Sequence, residues 1–415
     1  MSKTVRIYFY ALALMPLWGY IAVEYLNSNP NYLFGVFSAA MAAIVVITKM
    51  FRHEKINLPN YLILLLILFF YYMAWGFNTG FATDGDFSKF LYKNSALFTF
   101  CAFFIVENEE YDEAFIKAIV RIFKVTVVLA FITTMIQVMF IRNFFIPKYL
   151  LGEDYLANEF GTVRFPSIFG YIDANAVGFS FLPILSILFG YYLVRRSKNW
   201  FWYIIPGGIV AMLASSRYIQ IGFLIILFQI IFTRKERIKN TVKILAFGTV
   251  LVLVSLNIIE SSGMSISDYF YGRLLGASSY SRVIGTELFA RFFPEAPWLG
   301  SGSRITSELS VALEGASPYI HIGYLSHLFE YGIIGSLFLF GSWYLIGRKT
   351  FAVGSKTGYY GSFFAFLVFF FTNTTLVQYT MFHYGLIFAA VFYKYYENKF
   401  PINTERTYEK ITAVS

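Results

Sequence analysis

Apolar runs of about twenty residues recur along this chain from its first residues to residue 393, each closed by a short polar or basic segment. A hydrocarbon layer about 30 Å thick offers backbone groups no water, so a chain of such runs must satisfy itself within helices. Composition points the same way: of 415 residues, 58% are hydrophobic, 21% aromatic and only 14% charged, with a mean hydropathy of +0.60. These values lie outside the range of soluble domains. The sequence predicts an all-α integral membrane protein, a single polytopic domain over residues 1–415, with about twelve spans. They are expected at 5–25, 32–48, 58–76, 90–106, 116–140, 174–194, 200–214, 218–233, 242–259, 319–346, 358–376 and 380–393.

The opening MSKTVRIYFYALALMPLWGYIAVEY has the basic tip and apolar body of a signal sequence, but it leads straight into further apolar runs and reads as an uncleaved first helix. The net charge of +9 does not indicate nucleic acid, because the basic residues sit in short loops at alternate helix ends. With both termini cytoplasmic, the inside segments hold about 23 of the 33 Lys and Arg, the bias expected of cytoplasmic loops. ENEEYDEAF, on that side, reads as a solvated acidic connector, and the aromatic clusters FFYYMAWGF, NWFWY and YKYY as interfacial anchors. Cys101 is the only cysteine, which excludes an intrachain disulfide and a cysteine-based metal site.

Two outside segments are long, 142–173 and 260–318, the second lying between spans nine and ten. Loops of that length with aromatic and glycine content are commonly functional, so chemistry is expected on the external face. Arginine dominates the cations there. Arg217, beside Ser215 and Ser216, falls in a very short turn between two spans, where a guanidinium needs a partner or a polar cavity. Its planar fork suits phosphate oxygens, although a lone arginine at a helix end also snorkels to headgroups.

Arg164 precedes a helix that Asp173 or Asn175 can cap. Arg282 and Arg291 are followed by glycines 300 and 302, where a plain turn competes with a phosphate cradle. His321 and His327 are six residues apart and do not share a helix face, which argues against a zinc pair. His327 and Glu330 do share one, so the carboxylate can orient that imidazole. His321 lies nearer the outer surface, where a general base meets substrate. Asp84 and Asp86 offer a carboxylate pair for a divalent metal, a pattern also common in plain turns.

In order and sidedness these segments resemble the O-antigen polymerase and O-antigen ligase superfamily of bacterial envelope glycosyltransferases. The features that carry the resemblance are Arg164, Gly170 and Asn175 before a mid-chain helix, the Ser216-Arg217 turn, Arg282 at the start of an outside helix, and the Pro297-x-x-Gly300-x-Gly302 turn. They end with His321-Ile-Gly-Tyr324-Leu325 and Glu330-x-Gly332-x-x-Gly335. Ile322 departs from the Asn common in the family. The resemblance covers roughly residues 164 to 340 and implies a GT-C-like fold in the bacterial inner membrane.

It also implies an inverting transfer at the periplasmic face, with undecaprenyl-diphosphate-linked glycan as donor and a second glycan or lipid A core as acceptor. Arg217 and Arg282, with Arg164 or Arg291, would hold the diphosphate, and His321 would be the base. Asn175, Ser216, Tyr324 and Glu330 are the remaining substrate-binding positions. No metal or other cofactor is expected. Membrane lipids and a chain-length regulator protein are expected partners. SSYSRVIG and the Phe- and Tyr-rich character favour a polymerase over a ligase. A polyprenyl-linked glycan flippase and a metal-dependent transferase using Asp84 and Asp86 are the other readings.

Overall fold

The computed structural model describes residues 1–27, 30–76, 100–147, 165–170, 177–214, 217–233, 237–261, 280–302, 320, 322–373 and 384–399. All regular structure among them is helical. In chain order the helices are α1 (Lys3–Ala13), α2 (Met15–Leu26), α3 (Pro30–Phe51), α4 (Asn60–Gly76), α5 (Phe100–Asn108), α6 (Glu113–Met139), α7 (Leu182–Val194) and α8 (Phe201–Leu213). There follow α9 (Arg217–Leu227), α10 (Gln229–Thr233), α11 (Arg237–Ser261), α12 (Tyr280–Phe292), α13 (Gly323–Thr357), α14 (Gly361–Thr372) and α15 (Tyr384–Lys399). A 3₁₀ turn at Ser167–Phe169 and a π turn at Val177–Phe181 precede α7.

Every segment expected to span carries a described helix, and α12 lies within the long segment after α11. Leu33–Phe51 and Gly323–Thr357 are each long and apolar enough to cross a membrane. The pair α1 and α2 would count as a third, bent by 71° at Leu14. Pro16 accounts for the bend, since it has no N–H for the i−4 carbonyl and its ring occludes that site. The apolar stretches of α4, α7, α8, α9 with α10, α11 (Ala246–Ile258) and α14 are shorter.

Polarity is distributed from the inside outward. Large apolar side chains such as Phe37, Phe51, Phe70, Phe140, Trp202 and Leu337 are exposed, while Ser38, Thr133, Gln137, Ser186 and Gln229 are buried. Several buried hydroxyls return to carbonyls one turn back, as in Thr133 to Leu129 at 2.6 Å and Thr350 to Ile346 at 2.9 Å, which lowers their cost in an apolar interior. Such a surface is unusual for a monomer in water.

One end of the bundle is closed by charge. The Glu107 carboxylate, buried at the end of α5, accepts from Tyr61 at 2.8 Å, Lys349 at 3.0 Å, Lys394 at 3.1 Å, Asn57 at 3.3 Å and the Tyr393 hydroxyl. Glu397 lies 3.6 Å and 3.5 Å from the same two lysines, so the set is formally neutral. Around it Arg6 pairs with Asp112, and Glu113 meets Arg195 at 3.1 Å, Lys117 at 3.3 Å and Lys399 at 3.4 Å. The hydrogen bond from Lys117 and the charge of Lys399 hold the Glu113 carboxyl below the usual carboxylate range.

The expectation of a solvated connector at ENEEYDEAF is therefore corrected: its first residue is the hub onto which three other segments converge, the start of α4, α13 and α15. YKYY is corrected likewise, because Tyr393, Tyr395 and Tyr396 are buried rather than set at a lipid boundary. These contacts bring Arg6, Lys117, Arg195, Lys349 and Lys399 to one end of the bundle.

Candidate functional site

Helix α13 does not run unbroken. Gly332 has φ 65° and ψ −173°, a conformation open essentially to glycine alone, and the helix splits there into 323–331 and 333–357. A buried break strands carbonyls on one side and N–H groups on the other. The Pro297-Trp-Leu-Gly300-Ser-Gly302 turn satisfies both. The amides of Ser301 and Gly302 donate to the carbonyls of Phe329 at 2.8 Å and Glu330 at 3.1 Å. In the reverse direction, the amides of Ile333 and Ile334 donate to Pro297 at 2.9 Å and Trp298 at 3.1 Å.

The approach is backbone on backbone, which fixes two of the glycines. A Cβ on Gly300 would stand 2.3 Å from the Gly332 nitrogen, and one on Gly332 would stand 2.4 Å from both the Gly300 nitrogen and the Trp298 oxygen. The two glycine motifs on which the resemblance rests are thus the two halves of one joint.

Helix α4 grips this joint from the side. Tyr71 donates its hydroxyl to the Leu299 carbonyl at 2.6 Å, Trp75 its indole N–H to Gly300 at 3.1 Å, and Tyr72 its hydroxyl to Glu330 Oε1 at 3.0 Å. The sequence reading of FFYYMAWGF as a lipid anchor missed all three. The i, i+1, i+4 spacing of the donors on one helix was the only available signal, and it is shared by ordinary aromatic belts.

Glu330 is 3% exposed and His327, one turn before it, is 2% exposed. The His327 ring stacks on Tyr331 at 5.9 Å and meets Trp343 edge-on at 5.6 Å. Tyr324 fastens the start of α13 to the end of α14: its hydroxyl donates to Phe370 at 2.8 Å and its amide to Asn373 at 3.2 Å. Leu288 of α12 packs with Ile320 and Phe329, which docks the helix carrying Arg282 beside the chain neighbour of His321.

Arg217 is the first residue of α9. Cβ positions built on the glycines define a ladder of levels. Gly178 lies against Tyr218, Gly222 against Leu182 and Val368, and Gly190 against Gly361 and Gln229. Helix α14 therefore runs antiparallel to α9, and five residues beyond the Gly222 level puts Arg217 abreast of Asn373, to which Tyr324 is bonded. The start of α9, the turn after Asn175 and the start of α13 share one end of the bundle, opposite the Glu107 cluster.

Arg282 and Arg291 lie on one continuous helix nine residues apart. That spacing sets the two positions about 180° apart. Arg291 is exposed, with its guanidinium 5.2 Å from the Phe292 ring centroid. Arg164, Asn175, Ser216 and His321, along with Asp84 and Asp86, lie outside the described residues. Among the described residues, no group of three or more His, Cys, Asp or Glu is placed to hold a metal.

Gln137 of α6 orders the approach to the mid-chain helix. Its Oε1 accepts from the Ser167 amide at 2.9 Å and its Nε2 donates to Phe144 at 2.8 Å. Ser167 has a φ of 55°, so the turn depends on these bonds. Gln137→Leu is expected to cost about 1–3 kcal/mol by stranding a buried amide. Hydrogen exchange should then rise over 165–170 while α7 stays protected; unchanged exchange would contradict this role.

Compared with known proteins, the chain matches no family model and no curated sequence.

Proposed function

We propose that this protein is a multi-spanning glycosyltransferase of the bacterial inner membrane. In this reading it polymerises undecaprenyl-diphosphate-linked oligosaccharide units into surface polysaccharide on the periplasmic face, both termini being cytoplasmic. The chain would cross about twelve times, the shorter apolar helices included, in a GT-C-like arrangement. The observation that carries the reading is the joint between Pro297-x-x-Gly300-x-Gly302 and Glu330-x-Gly332. Two segments singled out by resemblance, distant in sequence, meet at the end of the bundle where Arg217 begins its helix.

In the reaction, an acceptor hydroxyl attacks the anomeric carbon of the donor sugar and the bond to the diphosphate oxygen breaks, with inversion. His321 takes the hydroxyl proton. Arg217 and Arg282 stabilise the charge that develops on undecaprenyl diphosphate as it leaves. The exposed apolar surface suits a bilayer. The charge-closed far end, tying α4, α5, α13 and α15 together, disfavours a flippase, which must open to both sides.

Arg217→Ala and His321→Ala are each expected to abolish long-chain polysaccharide on gels of whole-cell extracts, while Asp84→Asn leaves it unchanged. Wild-type ladders from both alanine variants would sink the arginine and histidine scheme. Loss in Asp84→Asn would point to the metal-dependent reading.

A further inference from the structure

The geometry points to Tyr72 as a positioning residue of this transferase site, acting through the Glu330 carboxylate; the inference rests on the function proposed above. Tyr72 is 2% exposed, and its hydroxyl donates to Glu330 Oε1 at 3.0 Å, joining α4 to α13. Its ring is already held by an edge-on contact with Tyr331, centroids 5.2 Å apart, so packing alone would be met equally by phenylalanine. The hydroxyl is the part that packing does not require.

What that hydroxyl fixes is a carboxylate at the joint itself. Glu330 contributes its backbone carbonyl to Gly302 and its side chain to Tyr72, so one residue ties the glycine turn to α4. Tyr71 and Trp75 hold the other side of the turn through Leu299 and Gly300. A carboxylate in an apolar surround is ordered by its donors, and losing one lets it change rotamer or protonation state. The backbone that leads from the joint back to His321 is the first half of α13, nine residues long from 323 to 331. Glu330 thus anchors the far end of the short helix whose first residue, Gly323, follows the proposed base by two residues in the chain.

The test is chain growth from lipid-linked repeat units by purified wild type, Tyr72→Phe, Glu330→Gln and the double variant, each with its melting temperature. Tyr72→Phe is expected to lower kcat about tenfold, about 1.4 kcal/mol in the barrier. Its KM for the donor should stay within about twofold and its melting temperature near wild type. In the Glu330→Gln background the same change is expected to add nothing.

Wild-type kcat in Tyr72→Phe, beside an active wild type, would overturn this inference while leaving the proposed function intact. So would a loss of activity matched by a fall in melting temperature, or full additivity with Glu330→Gln. An inactive wild type would overturn the proposed function and this inference with it.

Discussion

Gly332→Ala is expected to yield no folded protein. At φ 65° and ψ −173° an L-residue is strained by about 1–3 kcal/mol. The new methyl would also meet the Gly300 nitrogen and the Trp298 oxygen at 2.4 Å, backbone atoms that cannot rotate away. Separating the turn from the helix would break four amide bonds that satisfy a buried helix break. The combined cost is on the order of 4 kcal/mol or more, a large share of the stability of any domain. Gly358→Ala is the matched control. Its φ is 77°, but nothing lies within 4 Å of the added Cβ, so it should cost only about 1–2 kcal/mol. Melting followed by intrinsic fluorescence in detergent separates the two. Equal behaviour of both variants would mean that the joint is not held by close backbone approach.

Glu107→Ala carries the second large effect, at the opposite end. Removing the carboxylate leaves Lys349 and Lys394, 25% and 13% exposed, sharing Glu397 as their one carboxylate among the described residues, and removes the acceptor for Tyr61 and Tyr393. Breaking a buried pair in this way costs about 3–5 kcal/mol, because the partner charge stays behind. Glu107→Ala is therefore expected to fall sharply in melting temperature, and adding Lys349→Met should recover part of the loss. If Lys349→Met deepened the loss by its full single-mutant cost, the cluster would not be coupled as the geometry indicates.

Much of the helical plan is legible in the hydropathy pattern, because a run of apolar residues in this sequence is read by the same rule along its whole length. The Pro297-x-x-Gly300-x-Gly302 motif was legible as a turn, whereas Gly332 falls inside a run that reads as one continuous span. The helix break there and its pairing with the turn were not legible, since nothing local in Pro297–Gly302 names Gly332 as its partner. Glu107 was misread for a related reason. In sequence it is the first of a run of acidic residues at a helix end, and only tertiary structure brings Tyr61, Lys349, Tyr393 and Lys394 to it. Tyr72 was hidden by degeneracy: a tyrosine at the end of an apolar run suits a membrane interface and a hydrogen bond equally well.

The most direct measurement is a reconstitution. Purified protein is given undecaprenyl-diphosphate-linked repeat units alone, with a chelator present throughout, and products are sized on a gel. A ladder of lengthening chains with release of undecaprenyl diphosphate is the predicted result, lost in His321→Ala. No growth until lipid A core is supplied, or no transfer with either acceptor, would contradict polymerisation at this site.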